Sequence, residues 1–470
     1  MRWIFYIIIL SFLGCDDRGY GTQDINTIPY IGEDNPVKIL SHTPEKFVAK
    51  RSYITISFSS KLIDNDLADK IKIIDETNNS KIEFTYEIVD NNLYILPNSS
   101  LNDQHSYNFT LLTGIKDIFE NPLEKTTSFN LICKSNFWMD VDAGYTHSIA
   151  KSKDGDIYLW GSNLYGQLND LTYEQKARPI GIAKLKDSNK TSAGLNQSGF
   201  ILKDHNFISF GANAIGSAKG NFKDLSVGGN HTSVIKDNGT LWSYGSNSAG
   251  QLGNFGISDQ STFVQEYSKA TNWLQTSAGD SFNVAIQNNG TLWGWGKNDY
   301  GQIGNHVYNQ VRQPYQEDNN ETNWKSVSAG GEHTCALKTD GTLVCFGNNE
   351  YGQLGDGTFD SNKTKRSQVI NPDGNRWIRV DCGFNHTLAL DSNNTLWGWG
   401  RNYYGELGQG DTTNRNTPQK ILKNVQNFSA GQDFSLAILS DGTLWSWGYN
   451  AYLQLGLGET DDKLTPEEIK

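Results

Sequence analysis

Four of the eight histidines, His147, His231, His333 and His386, stand at the same place in a short phrase that the chain repeats. Imidazoles at one recurring position invite a metal reading, because a neutral His nitrogen is a common zinc ligand. The same position is Gln197, Phe282 and Phe434 in the other copies. Phe cannot ligate, and equivalent positions in separate repeats lie too far apart to share an ion. The histidines are expected to be structural, each hydrogen-bonded within its own repeat. No metal and no other cofactor is expected.

A second set is aromatic. Trp293, Trp295, Trp397, Trp399, Trp445 and Trp447 could stack on sugars or bases. Each large aromatic buries roughly 150–250 Å², about 4–6 kcal/mol gross. Leaving so many exposed would forfeit tens of kcal/mol, several times a typical net stability. Most of them are expected in the core between blades. The glycines beside them open no helix after a strand, so they form no phosphate loop. No Ser-His-Asp order, CxxC, HExxH or carboxylate pair at a repeat-breaking position is found, and an enzyme is not expected. A net charge of −12 with a pI near 5.2 argues against nucleic acid, which needs clustered Lys and Arg.

The cysteines hold the remaining covalent chemistry. Cys335 and Cys345 flank Thr339-Asp340-Gly341. A three-residue hairpin loop would set them opposite one another, and an exported protein would then link them. A two-residue loop on Asp340-Gly341 would offset them and leave two thiols. Cys133 and Cys382 have no evident partner.

The elements that must position these residues are repeats. A phrase of the form Gly-x-x-His-Thr-x-Ala-Leu begins at Gly144, Gly194, Gly228, Gly279, Gly330, Gly383 and Gly431, in steps of 50, 34, 51, 51, 53 and 48. Only the second unit is short. Each phrase is followed by a second one, clearest at Gly290-Thr291-Leu292-Trp293-Gly294-Trp295-Gly296 and again at 239–247, 395–402 and 442–450. Apolar and polar residues alternate, and Asp340-Gly341, Asp441-Gly442, Asn238-Gly239 and Asn289-Gly290 supply hairpin turns. No helical period appears. Seven small antiparallel sheets fit one closed ring, so the fold class is all-β.

This wording resembles the regulator of chromosome condensation repeat family over about residues 136–470. The resemblance implies a seven-bladed β-propeller of four-stranded blades, here bounded at 133–470. The family often closes its ring by mixing both chain ends in one blade. The last residues, Pro466-Glu467-Glu468-Ile469, are therefore expected to complete the blade begun near Phe137, and deleting Thr465–Lys470 is expected to destabilise the ring.

Before the repeats, Arg2, the apolar run Trp3 to Leu13 and Gly14-Cys15 read as a signal peptide at 1–14. As a helix that run reaches about 16 Å, short of the roughly 30 Å of a bilayer core. Ser11-Phe12-Leu13-Gly14-Cys15 is similar to a bacterial lipobox, which implies lipidation of Cys15. Residues 15–35 read as a flexible tether. From 36 to 132 the pattern is strand after strand, as at Tyr53–Phe58, Ile82–Tyr86 and Tyr107–Leu111. This segment resembles bacterial Ig-like domains, which have Gly-Asn-Pro-Leu where this chain has Glu120-Asn121-Pro122-Leu123. The resemblance implies a β-sandwich spacer without chemistry.

What varies between repeats is the loop after each Gly-Gln-Leu-Gly. Those at 254–271, 305–322 and 356–375 carry Phe255, Phe263, Tyr267, Tyr308, Arg312, Tyr315, Phe359 and Arg366. Insertions at equivalent points emerge on one face of a repeat ring, and aromatic and Arg residues there suit a protein interface. The chain thus reads as a monomeric, non-enzymatic lipoprotein of the bacterial cell envelope, anchored to the membrane by lipid and facing the periplasm or exterior. Its propeller face is expected to bind a protein partner as scaffold, adhesin or inhibitor. A glycan-binding or glycan-processing role is the alternative. Guanine nucleotide exchange, which the resemblance also implies, is disfavoured because an exported protein would not meet a cytosolic GTPase.

Overall fold

The computed structural model describes residues 36–469 apart from 44–46, 50–53, 65–66, 100, 103–104, 135–137, 306–308 and 361–365. The signal segment, Cys15 and the tether lie outside the described residues, as does Tyr308.

Two sheets form the N-terminal unit. One holds Ile39–Thr43, Ile54–Phe58, Asn92–Pro97 and Phe84–Val89 in that spatial order; the other is built on Thr127–Lys134, Ser106–Leu111 and Ile71–Asp75. Alternation dictates the packing: Ile54, Ile56 and Phe58 from the first sheet meet Ile71, Ile73, Tyr107 and Phe109 from the second in one dry core. Asp117 holds the turn before Pro122, accepting from the N–H groups of Phe119 and Asn121 at 2.9 Å each. Glu120 lies inside that turn at φ +67°, which explains why related domains carry Gly there.

Seven sheets of four strands follow, at 138–181, 190–218, 222–265, 273–316, 324–368, 377–422 and 425–469. They are numbered here as blades one to seven. Within each blade the strands run in chain order from the axis outward. Between blades the packing is aromatic and aliphatic. Trp160, Trp295, Trp399 and Trp447 are fully buried. Each indole Nε1 donates to a backbone carbonyl in the loop of the preceding blade, as Trp399 does to Gln353 at 2.9 Å and Trp447 to Glu406 at 2.8 Å.

Ring closure differs from the expectation. The last strand, Lys463–Ile469, pairs with Leu444–Gly448 and is the outer strand of blade seven, not part of the blade begun near Phe137. No strand is exchanged. The seam repeats contacts found at other interfaces: Trp160 Nε1 donates to the Gln454 carbonyl at 2.8 Å and Ser148 Oγ to the same oxygen at 2.8 Å. The physical reason is that each outer strand follows directly from its own third strand. The last strand completes a blade that already has three. Ile469 is nonetheless buried with Trp138 and Tyr158 of blade one, so the C-terminal strand still supports the seam.

Around the axis the blades meet through two rings. In the first, a side chain two residues before each phrase glycine accepts a backbone N–H from the next blade. Ser192 takes Val227 N at 3.0 Å, Ser226 takes Ala278 N at 2.9 Å, Ser277 takes Ala329 N at 3.0 Å and Ser328 takes Cys382 N at 3.0 Å. Asp381 takes Ala430 N at 2.9 Å, Ser429 takes Ala143 N at 3.1 Å, and Asp142 takes Ala193 N. In the second ring, the phrase glycines face one another. A Cβ at Gly383 would stand 2.4 Å from the Gly431 carbonyl oxygen, and the same clash recurs at all seven, ending with Gly431 against Gly144 at 2.7 Å. No side chain fits. Gly383→Ala is expected to cost at least about 2–3 kcal/mol by forcing blades six and seven apart, measured as a lowered urea midpoint; an unchanged midpoint would show that the axis tolerates the methyl group.

Candidate functional site

The turn from first to second strand and the loop leaving the third strand open at the same end of every blade, since His147 pairs with Gly161 and its counterparts do likewise. That end is the upper face. Its centre is the mouth of a channel of about 110 Å³, lined by residues such as Asp142, Ser226 and Asp381. Tyr145 lies across the mouth: its ring is 5.6 Å from Phe384 of blade six, edge to face, and its hydroxyl donates to Asp280 Oδ1 of blade four at 3.2 Å. Burial pushes the carboxyls of Asp142 and Asp381 above the ordinary range, and Asp381 adds to the rise at Asp142.

The upper loops have one construction. An Asn side chain takes the loop's own backbone N–H, as Asn349 Oδ1 takes Leu354 N at 2.9 Å, and a Gln oxygen takes the N–H of the residue two positions earlier. In five blades that held residue is a tyrosine: Tyr165, Tyr300, Tyr351, Tyr404 and Tyr452, with N–H to Oε distances of 2.8–3.0 Å. Tyr403 and Tyr449 extend the set. Tyr351 meets Tyr403 at 5.7 Å and Tyr404 meets Tyr449 at 4.6 Å. In blade one, Leu164, Tyr165, Leu171 and Tyr173 are 54–93% exposed, a solvated apolar patch beside the tyrosines of blade seven. The result is an aromatic crescent over blades five, six, seven and one.

Arg401 sits inside the crescent. Its guanidinium lies 4.8 Å from the Tyr403 ring, 5.2 Å from Tyr404 and 6.0 Å from Tyr351, and it pairs with Asp433 of blade seven. Glu406 stands where the neighbouring loops have Gln. Its Oε2 accepts Tyr404 N at 2.8 Å, while its buried Oε1 has only the Arg401 Nε, 3.9 Å away. Burial raises the Glu406 carboxyl to about 7.

The sequence-predicted residues fall into three groups. Phe255 and Tyr267 are more than half exposed and stack at 5.2 Å; Phe359 is half exposed. Arg312 is exposed, and Tyr315 is also exposed with its hydroxyl on Asp318 at 3.3 Å. Two are corrected. Phe263 is on an outer strand, Gln260–Gln265, not in a loop, and is half-buried: it packs against Phe207, Phe222 and Tyr244 at 5.0–5.5 Å, and its other face stays open because the preceding blade's outer strand is only two residues long. Arg366 is locked by the fully buried Glu317 at 2.9 Å and by Glu321 at 3.1 Å, so its charge is spent within the protein. The tyrosines of the crescent are hard to single out in sequence because they recur with the repeat, as architectural residues do. The signal was available: five tyrosines at one loop position, with Arg401 and Glu406 breaking the pattern beside them.

The histidines also need correcting. Three of the four bond across blades, not within them: His147 Nε2 to Ser198 at 2.9 Å, His333 to Thr387 at 2.9 Å and His386 to Ser435 at 3.1 Å. Burial lowers His147 and His231 to about 4 and His333 and His386 to about 3, so they stay neutral. Cys335 and Cys345 stand opposite in a three-residue hairpin and form a disulfide. Among the described residues, the one group with metal-ligand spacing is His333, Cys335 and Cys382, and that disulfide occupies Cys335. Cys133 and Cys382 are buried thiols.

The Glu406 geometry sets a pH prediction. An acid with a raised folded pKa contributes stability that is full below the ordinary carboxylate range and lost as pH rises through about 7. Glu406→Gln should therefore raise the melting temperature at pH 8 and leave it near wild type at pH 5. An equal difference at both pH values would mean that Glu406 does not titrate in this range.

Comparison with known proteins bears on the whole ring. A model described as RCC1-like domain matches residues 217–470, more than half of the chain. A regulator of chromosome condensation (RCC1) repeat model matches 140–167, and a bacterial Ig-like domain model matches 33–132. The chain is 28% identical over 291 residues to the ultraviolet-B receptor UVR8 of Arabidopsis thaliana, covering 60% of this chain and 57% of the receptor. It is 30% identical over 255 residues to the human E3 ubiquitin-protein ligase HERC2, covering 53% of this chain and 5% of the ligase. It therefore spans little more than half of one relative and a small part of the other. Among solved structures, yeast RCC1 (Prp20) bound to Kap60 has the same fold, with a TM-score of 0.51, 20% identity, and coverage of 71% of this chain and 75% of that one.

Proposed function

The chain belongs to the RCC1-like domain family, and from that premise we propose that its propeller is a non-enzymatic module that binds a protein partner through the aromatic crescent of its upper face. One observation carries this reading. Leu164, Tyr165, Leu171 and Tyr173 on the upper loop of blade one and Tyr403 on that of blade six are all at least half exposed, and exposed apolar side chains gathered on one face mark interaction surfaces. Tyrosines suit the task because they offer large contact area with few rotatable bonds and one polar tip. Arg401, held among three rings and paired with Asp433, fixes the tyrosines of blades five and six in place. The yeast protein of this fold, seen with Kap60, supports the idea that such rings engage other proteins.

The setting we propose is the bacterial cell envelope, with Cys15 lipidated and the Ig-like unit holding the ring away from the membrane. The Arg2-to-Cys15 pattern supports it. Chemical crosslinking in intact cells followed by affinity capture tests both parts. A protein captured by wild type should be lost at least tenfold with the combined change Tyr165→Ala and Tyr403→Ala, which removes two crescent side chains without touching the core. Capture that survives both changes would move the interface elsewhere. Cys15→Ser should release the chain from the membrane fraction, and unchanged fractionation would refute the anchor.

A further inference from the structure

The short second repeat has a structural result. After its third strand, Phe207–Gly211, the chain returns at once as a two-residue outer strand, Ser217–Ala218, where blade three has six residues, Gln260–Gln265. The long upper loop that fills the space between other neighbours is missing. A groove of about 810 Å³ opens between blades two and three. That volume lies within the range of small-ligand sites, roughly 300–1,000 Å³. It is the place where the ring most departs from its own symmetry, and it lies apart from the crescent on blades five, six, seven and one.

The lining has a definite chemistry. Asn213 of blade two and Asn230 of blade three line the groove with exposed amide side chains. Asp259 uses Oδ1 on the N–H of Asn247 at 2.8 Å and keeps Oδ2 for another partner. Gln260 donates through Nε2 to the Ser258 carbonyl at 3.1 Å and keeps its amide oxygen. Phe263, rigidly packed on its core side, supplies an apolar ring to the groove. Amides, hydroxyls and one carboxylate surround that ring, and no Lys or Arg lines the site.

We propose that this groove binds a neutral oligosaccharide. Sugar hydroxyls both donate and accept, which matches exposed amides and a half-used carboxylate; the C–H face of a sugar ring matches Phe263. Phosphate or sulfate groups would find no cation to pair with. An extended peptide pairing along the third strand is less well served, because Ser217 and Ala218 already pair with Ile208 and Phe207 there, and Gly216 accepts Ser209 N at 2.8 Å. The site does not depend on the crescent being a protein interface.

The test is an array of neutral hexose and N-acetylhexosamine oligomers probed with the purified full chain, followed by calorimetric titration of any oligomer retained. Asn213→Ala should weaken binding at least tenfold, and Ala214→Trp, which fills the groove, should abolish it. Both variants should keep the wild-type melting temperature, and Tyr403→Ala should bind as wild type does. The proposal is overturned if no neutral oligomer is retained, if both groove variants bind normally, or if an extended peptide occupies the groove instead.

Discussion

The seven glycines around the axis set the terms for the rest of the molecule. Each presents its Cα where a methyl group would strike the next blade's carbonyl, so neighbouring backbones approach as closely as peptide chemistry allows. That approach brings the Ser and Asp side chains of one blade within reach of N–H groups on the next, and seven hydrogen bonds close the circle. With the inner strands fixed, blades can diverge only outward, and the widening gap is what the tryptophans and the preceding blade's loop fill. The upper loops are thereby wedged in place by backbone carbonyls bonded to buried indoles. A surface built on such loops is rigid without any regular structure of its own.

Departures from the repeat carry the local chemistry. Five blades place Ser at the axial acceptor position, and two place Asp, whose buried carboxyls are pushed toward the neutral form. Glu406 replaces Gln in one loop and turns a satisfied amide position into an ionisable one beside Arg401 and Asp433. The shortened second blade is the same kind of departure on a larger scale: a missing loop leaves a groove whose lining amides and carboxylate keep hydrogen-bonding capacity that the protein does not use.

Much of this was legible in the residues. The seven phrases, their turn dipeptides and the alternation of apolar side chains specify four-stranded blades, and the Ig-like strands follow from period two. Tryptophan burial followed from area alone. Direction across a blade boundary was not legible: a His-Thr phrase says that the imidazole is buried, but whether its partner is in the same sheet or the next depends on how sheets pack. Ring closure failed for a related reason. The last strand echoes a phrase that opens other repeats, yet pairing is decided by the nearest free edge, which belongs to Leu444–Gly448. Phe263 and Arg366 looked like loop residues because strand ends are poorly marked in sequence. Their burial depends on Tyr244 and Glu317, tens of residues away.

The seam between blades seven and one bears on mechanics. No strand crosses it, and the chain enters blade one through Trp138–Ala143, the strand nearest the axis. At the rim of the same blade, Arg178, on the outer strand Lys176–Gly181, pairs with Glu87 of the Ig-like unit at 2.7 Å and lies over Tyr94. Tension carried by the chain would therefore enter the wheel at its hub, while the Arg178–Glu87 pair steadies the Ig-like unit against the rim. The hub strand is gripped on both sides, by blade seven and blade two, so a pull along it must shear two sets of axial hydrogen bonds together before any blade peels away.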